Sequence, residues 1–96
     1  MEARLADTSL WDYYQFDQQY AAQAGIDRLT QQLSRGNLNP GIGTKPIGKG
    51  LSEACGSDGA RVYFRQLTDG TIEILGKSTK VDQSAVIAEV LRVFGG

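Results

Sequence analysis

The run GARVYFRQLTDGTIEILGKSTK, Gly59 to Lys80, constrains the fold more than any other part of the chain. Two apolar-rich segments flank Thr68-Asp69-Gly70, the pattern of a β-hairpin. A two-residue Asp69-Gly70 turn sets Arg65 opposite Ile74 and mixes a charge into the apolar face. A three-residue loop with Gly70 in the left-handed position instead pairs Phe64 with Ile74 and Arg65 with Glu73. A slip of one residue exchanges the faces, so the better apolar match decides the register. One face then carries Val62, Phe64, Ile72 and Ile74, the core side. The other carries Arg61, Tyr63, Arg65, Glu73, Leu75 and Lys77.

The elements around this hairpin follow from punctuation and periodicity. Residues 9–35 read as helical, with Ser9 as N-cap and Trp11, Tyr14, Ala22, Ile26, Leu29 and Leu33 at helical spacing. Gly25 is a point at which the segment divides into two helices, and Gly36 stands where a C-cap glycine ends it. Trp11, Tyr13, Tyr14, Phe16 and Tyr20 read as core or as cover for the sheet. The rival reading, a stacking platform for bases, is opposed by Asp12 and Asp17 among them. Gly36 to Gly50 reads as a loop, because its glycines and two prolines oppose regular structure. Leu51 to Cys55 reads as a short strand followed by the turn signal GSDG. Asp82 then caps a helix whose stripe is Val86, Ile87, Val90, Leu91 and Phe94. The expected architecture is α+β: a small antiparallel β-sheet with N-terminal helices and a C-terminal amphipathic helix packed on it. One domain spans 1–96, with a helical part over 1–36 and the loop, sheet and final helix over 37–96.

Composition removes several function classes. Histidine is absent and Cys55 is the only cysteine, so an internal disulfide and Cys-pair zinc motifs are excluded. No carboxylate or metal-ligand spacing stands out, and no cofactor is expected. No apolar run approaches the roughly 20 residues of a membrane span. The opening residues lack the apolar stretch of a secretory signal, so a route out of the cell is expected to come from other sequence. The run GTKPIGKG from Gly43 is a near miss to a phosphate-binding P-loop: the magnesium-holding Ser/Thr is missing and Pro46 removes an N–H.

Charge is unevenly spread. Residues 1–44 carry −2, residues 45–80 carry +2 and residues 81–96 carry −1. Arg61, Tyr63, Arg65 and Lys77 on one strand face, with Lys45 and Lys49 on a glycine-rich loop, have two readings. One is a solvated face whose charges guard an edge. The other is a basic face that binds a phosphodiester backbone. RNA carries its own nucleophile, the 2′-hydroxyl, so such a site can cut it without histidine or metal. Arg and Lys stabilise the phosphorane, a lysine crowded by cations acts as base, and Tyr63 relays a proton. The products are a 2′,3′-cyclic phosphate and a 5′-hydroxyl end.

The element order, together with GARVYFR at Gly59–Arg65, ILGKSTK at Ile74–Lys80 and the amphipathic end, resembles the RelE/ParE superfamily of bacterial toxins. That superfamily lies within the wider barnase/EndoU/colicin/RelE group. The resemblance covers about Lys49 to Phe94, roughly half of the chain. It implies a small sheet packed by helices and, in the RelE branch, a metal-free endoribonuclease. By position, Arg61 resembles the family's strand arginine before the aromatic, Lys77 the basic residue ending the last strand, and Lys49 the basic approach. Cys55 stands at a family arginine used in catalysis, either as natural variation or as a substitution that disarms the toxin. The family's first strand has no counterpart readable in residues 1–10, and its tyrosine near the final helix is missing. The glycine loop and acidic front half also look like the C-terminal toxin domains of contact-dependent inhibition and polymorphic toxin systems.

The resemblance implies catalytic roles for Lys49, Arg61, Lys77 and the Cys55 position; the reading of the cationic face adds Tyr63 to the catalytic set and gives RNA contacts to Lys45, Arg65 and Lys80. The substrate is tRNA or mRNA in the bacterial cytoplasm, reached in some systems by delivery from another cell. A cognate immunity protein or antitoxin is the implied partner. The alternatives are a ParE-like gyrase inhibitor that cuts nothing and a non-catalytic interaction module.

Overall fold

The central hairpin closes through the three-residue loop. Leu67 N donates to Thr71 O at 2.8 Å, Gly70 N to Leu67 O at 3.0 Å, and Gly70 has φ 87°. Phe64 pairs with Ile74 and Arg65 with Glu73, as the apolar matching requires. The computed structural model describes residues 5–7 and 19–95. Its elements are β1 (Leu5–Asp7), α1 (Gln19–Ser34), β2 (Gly43–Gly48), β3 (Leu51–Cys55), β4 (Ala60–Gln66), β5 (Ile72–Thr79) and α2 (Gln83–Phe94).

The fold is α+β. β2 to β5 form a four-stranded antiparallel meander, and β1 joins parallel to β5, giving the order β1-β5-β4-β3-β2. The strand at Leu5–Asp7 corrects the reading of residues 1–10 as strandless. Three residues are too few for alternation to declare a strand, and this one forms by pairing with Ile72 to Ile74. The rest of the predicted first helix, residues 9–18, lies outside the described residues.

Each sheet face is covered by one helix. Ile26, Leu29 and Leu33 of α1 pack on Ala54, Ala60, Val62, Phe64, Ile72 and Ile74. On the other side Val86 and Val90 of α2 pack on Leu51, Tyr63 and Leu75, with Ile87, Leu91 and Phe94 at the margin. Fully burying each such aliphatic or aromatic side chain is worth about 1.5–3 kcal/mol. The C-terminal helix thus packs on the sheet through its predicted stripe.

Gly25 does not divide α1. A Cβ there would lie 2.1 Å from Asp58 Oδ2, so glycine is required for the β3–β4 turn to dock against the helix. Asp58 fills that notch, accepting from Arg28 at 3.2 Å and from Ala60 N at 3.2 Å. Gly36 ends α1 in a Schellman motif, with Asn37 N bonded to Gln32 O and Gly36 N to Leu33 O.

The predicted loop at Gly36–Gly50 is partly wrong, since Gly43–Gly48 is the edge strand β2. Proline is compatible with it because of orientation. Thr44 N turns away from β3 to reach Asn39 Oδ1 at 2.7 Å, and Pro46, two residues on, faces the same way. Its missing N–H lies on the unpaired side, where proline blunts an edge. Asp82 also departs from expectation. It precedes α2, but its carboxylate turns back to Thr79 N and Oγ1 at 2.9 and 3.0 Å and makes no cap bond.

Candidate functional site

Strand alternation assembles a polar cluster beyond the first turn of α2. In antiparallel pairs the residues opposite each other share a face. Lys45 faces Glu53, Glu53 faces Tyr63, Cys55 faces Arg61 and Gly43, and Arg61 faces Ser78. All lie on the α2 side of the sheet. Gly43 has no side chain, so an open depression of about 220 Å³ remains in front of Cys55, lined by Ile42, Gly43, Thr44 and Lys45.

Glu53 is the hub. Its exposure is 0%. Oε1 lies 3.3 Å from Lys45 Nζ and accepts from Cys55 Sγ at 3.5 Å, and Oε2 accepts from Gln83 Nε2 at 2.7 Å. Burial acts to raise its pKa, but hydrogen bonds from Gln83, Lys45, Tyr63 and Cys55 outweigh it and hold the carboxyl below its ordinary range. The same burial, with the Glu53 charge beside it, pushes the Cys55 thiol up, so the sulfur stays protonated near neutral pH. Tyr63 is fully buried and shares a 2.8 Å hydrogen bond with Ser78 Oγ. Burial drives its phenol pKa upward, away from any role as a base.

Arg61 is half-buried. Its Nη1 donates to Ala60 O at 2.9 Å and Gly56 O at 3.3 Å, which pins one side of the guanidinium. Its Nε is buried without a hydrogen-bond partner. Lys80 stands at the same end of the sheet, its Cβ 3.8 Å from where a Gly59 Cβ would be.

The structure therefore brings together Lys45, Cys55 and Arg61, with Lys80 near them, and places the remaining predicted residues elsewhere. Lys77 is turned to the α1 face. Pairing steps from Phe64–Ile74 to Tyr63–Gly76, so Leu75 is a bulge residue. Leu75 and Gly76 then both face α2, where a Cβ on Gly76 would sit 2.9 Å from Val90. Lys77 consequently faces with Val62, opposite to Arg61.

Lys49 lies in the β2–β3 turn with φ 59°, its Cγ 3.1 Å from a would-be Gly95 Cβ, at the far end of α2. Arg65 is at that end too. Its Nε donates to Glu73 at 2.6 Å, its Nη1 to Phe94 O at 3.4 Å, and its Cζ lies 5.7 Å from the Phe94 ring centre. These two cations sit by the negative end of the helix. The expectation that Arg61, Tyr63, Arg65, Lys77 and Lys49 converge is thus corrected by the bulge, by the length of β3 and by the burial of Tyr63.

Glu53, Ser78 and Gln83 were missed as site members. The alternation Leu51, Glu53, Cys55 does place Glu53 on a buried face. The pairing of Glu53 with Lys45 is not legible, because the glycines and prolines of Gly36–Gly50 give β2 the signature of a loop. Among the described residues no group of three or more His, Cys, Asp or Glu stands together to hold a metal. No described helix is long and apolar enough to cross a membrane. No family model matches the chain, and no curated protein or solved structure matches it.

Proposed function

We propose that the chain is a ribonuclease toxin domain of RelE-like type that binds an RNA phosphodiester at the open end of the sheet. The observation that carries this reading is the pinned, half-buried Arg61 opposite Cys55 on β4, with an open depression lined by Lys45 on the other, β2 side of Cys55. The parallel β1 supports it further, since a first strand belongs to the family's element order. Arg61 and Lys45 supply positive charge at a phosphate, with Lys80 at the rim. Such pre-set charge is often the largest contribution to phosphoryl chemistry. The RNA 2′-hydroxyl is the nucleophile, and no metal or cofactor enters the proposal. Cys55 stands where the resemblance places a catalytic arginine, so this chain binds RNA better than it cuts it.

Neutralisation by a cognate immunity protein or antitoxin that presents acids to the same end belongs to the proposal. So does action in the bacterial cytoplasm. A second reading, a gyrase-binding or plain interaction module, draws support from the complete burial of Glu53 and Tyr63 and from the outlying Lys49 and Lys77.

One assay separates the readings. The chain and its Cys55→Arg variant are incubated with total tRNA and mRNA in EDTA, and the RNA ends are examined. Cleavage by Cys55→Arg to 2′,3′-cyclic phosphate ends is expected. Intact RNA with both proteins sinks the nuclease reading.

A further inference from the structure

Lys45 and Glu53 form an unequal ion pair. The ammonium end belongs to a side chain 61% exposed on an edge strand, and the carboxylate to one that is 0% exposed. The carboxylate does not depend on Lys45 alone. Gln83 holds Oε2 at 2.7 Å and Cys55 donates to Oε1 at 3.5 Å, so Glu53 keeps hydrogen-bond partners on both oxygens if Lys45 leaves. Loss of a buried charge's only partner is costly; loss of one of the four that hold Glu53 is less so. Lys45 also lines the depression in front of Cys55, so its ammonium can swing between the carboxylate and anything that fills that space.

We infer that Lys45 is a cation parked on Glu53 and exchanged onto a phosphodiester that enters the depression, which makes Glu53 a positioning residue that restrains anion binding until a phosphate competes for Lys45. The inference rests on the RNA-binding reading and adds to it the identity of the mobile group and its counterion. On the face of Glu53 stand Lys45 from β2, Cys55 from β3, Arg61 and Tyr63 from β4, Ser78 from β5, and Gln83 from the start of α2.

The test uses the whole chain and a short fluorescein-labelled RNA with 2′-O-methyl on every sugar, which cannot be cut. In Glu53→Gln the new amide oxygen accepts from Gln83 while its NH₂ faces Lys45 and releases it. Affinity is expected to rise roughly two- to fivefold, the worth of a partly exposed ion pair. Lys45→Met lowers affinity, and Glu53→Gln with Lys45→Met shows no gain over Lys45→Met alone. A purely structural Glu53 gives weaker or unchanged binding in Glu53→Gln, or a gain that survives loss of Lys45; either result overturns the inference.

If Glu53→Gln does not fold, the native chain decides. The Glu53 carboxyl ¹³C titration is expected to move upward in pH when the oligonucleotide saturates, and not to move in Lys45→Met. An unmoved titration at saturation in the native chain overturns the inference. Binding without these effects removes this inference alone. Absence of binding by the native chain, Glu53→Gln and Cys55→Arg removes the RNA reading and this inference with it.

Discussion

Cys55 and Arg61 face each other across β3 and β4, at the end of the sheet that α2 leaves open. Lys77, two residues past the Leu75 bulge, faces with Val62 on the opposite side. Arg61→Ala should therefore weaken binding of a short RNA by roughly tenfold, the scale of a charge-assisted phosphate contact of 1.5–3 kcal/mol reduced by partial exposure. Lys77→Ala should change it less than about twofold. Fluorescence anisotropy at fixed low salt separates the two; equal losses would place the anion on both faces.

Tyr63 bonds Ser78 inside the packed layer under α2. Tyr63→Phe should cost about 1–3 kcal/mol of stability, because Ser78 loses a buried partner. RNA binding should be unchanged once the protein is folded. Urea denaturation reads the first, and a loss of binding in folded Tyr63→Phe would restore the tyrosine to the site.

Glu53 ties fold stability to pH. Its carboxyl lies below the ordinary value of 4.5, because bonds from Gln83, Lys45, Tyr63 and Cys55 offset the burial that acts to raise it. A depressed folded value means that the unfolded chain binds the proton more readily. The contribution is present above pH 4.5 and fades as pH falls below it through the folded value. The urea midpoint should drop over that window, and Glu53→Gln should be less stable at neutral pH with a shallower drop. A parallel pH profile in Glu53→Gln would assign the acid sensitivity to other carboxylates.

Arg65 joins Glu73 to the last carbonyl and ring of α2. Arg65→Ala should destabilise the fold by about 1–2 kcal/mol through loss of this clasp. Its RNA affinity should shift no more than that of any surface cation. Hydrogen exchange of the last turn of α2 reports the loosening, and unchanged protection there would contradict the clasp.

The hairpin register was legible because Phe64–Ile74 and Arg65–Glu73 are better matches than any slipped pairing. The α2 stripe was legible because Val86, Val90 and their neighbours repeat at helical spacing. The bulge was not, since nothing in ILGK marks Leu75 as the extra residue. Its cause is tertiary: Gly76 has to pass under Val90. β2 was hidden by Pro46, whose permission to sit in a strand depends on which edge is unpaired. Without β2 the Lys45–Glu53 pair has no sequence signature, and without the bulge strict alternation extends the site down the sheet to Lys77.

The most direct measurement is sequencing of 5′-hydroxyl RNA ends from bacteria expressing the Cys55→Arg chain, with and without Arg61→Ala. Discrete new ends that vanish when Arg61 is removed are the predicted result. Growth arrest with intact RNA, or ends that persist without Arg61, would contradict a phosphodiester site at the open end of this sheet.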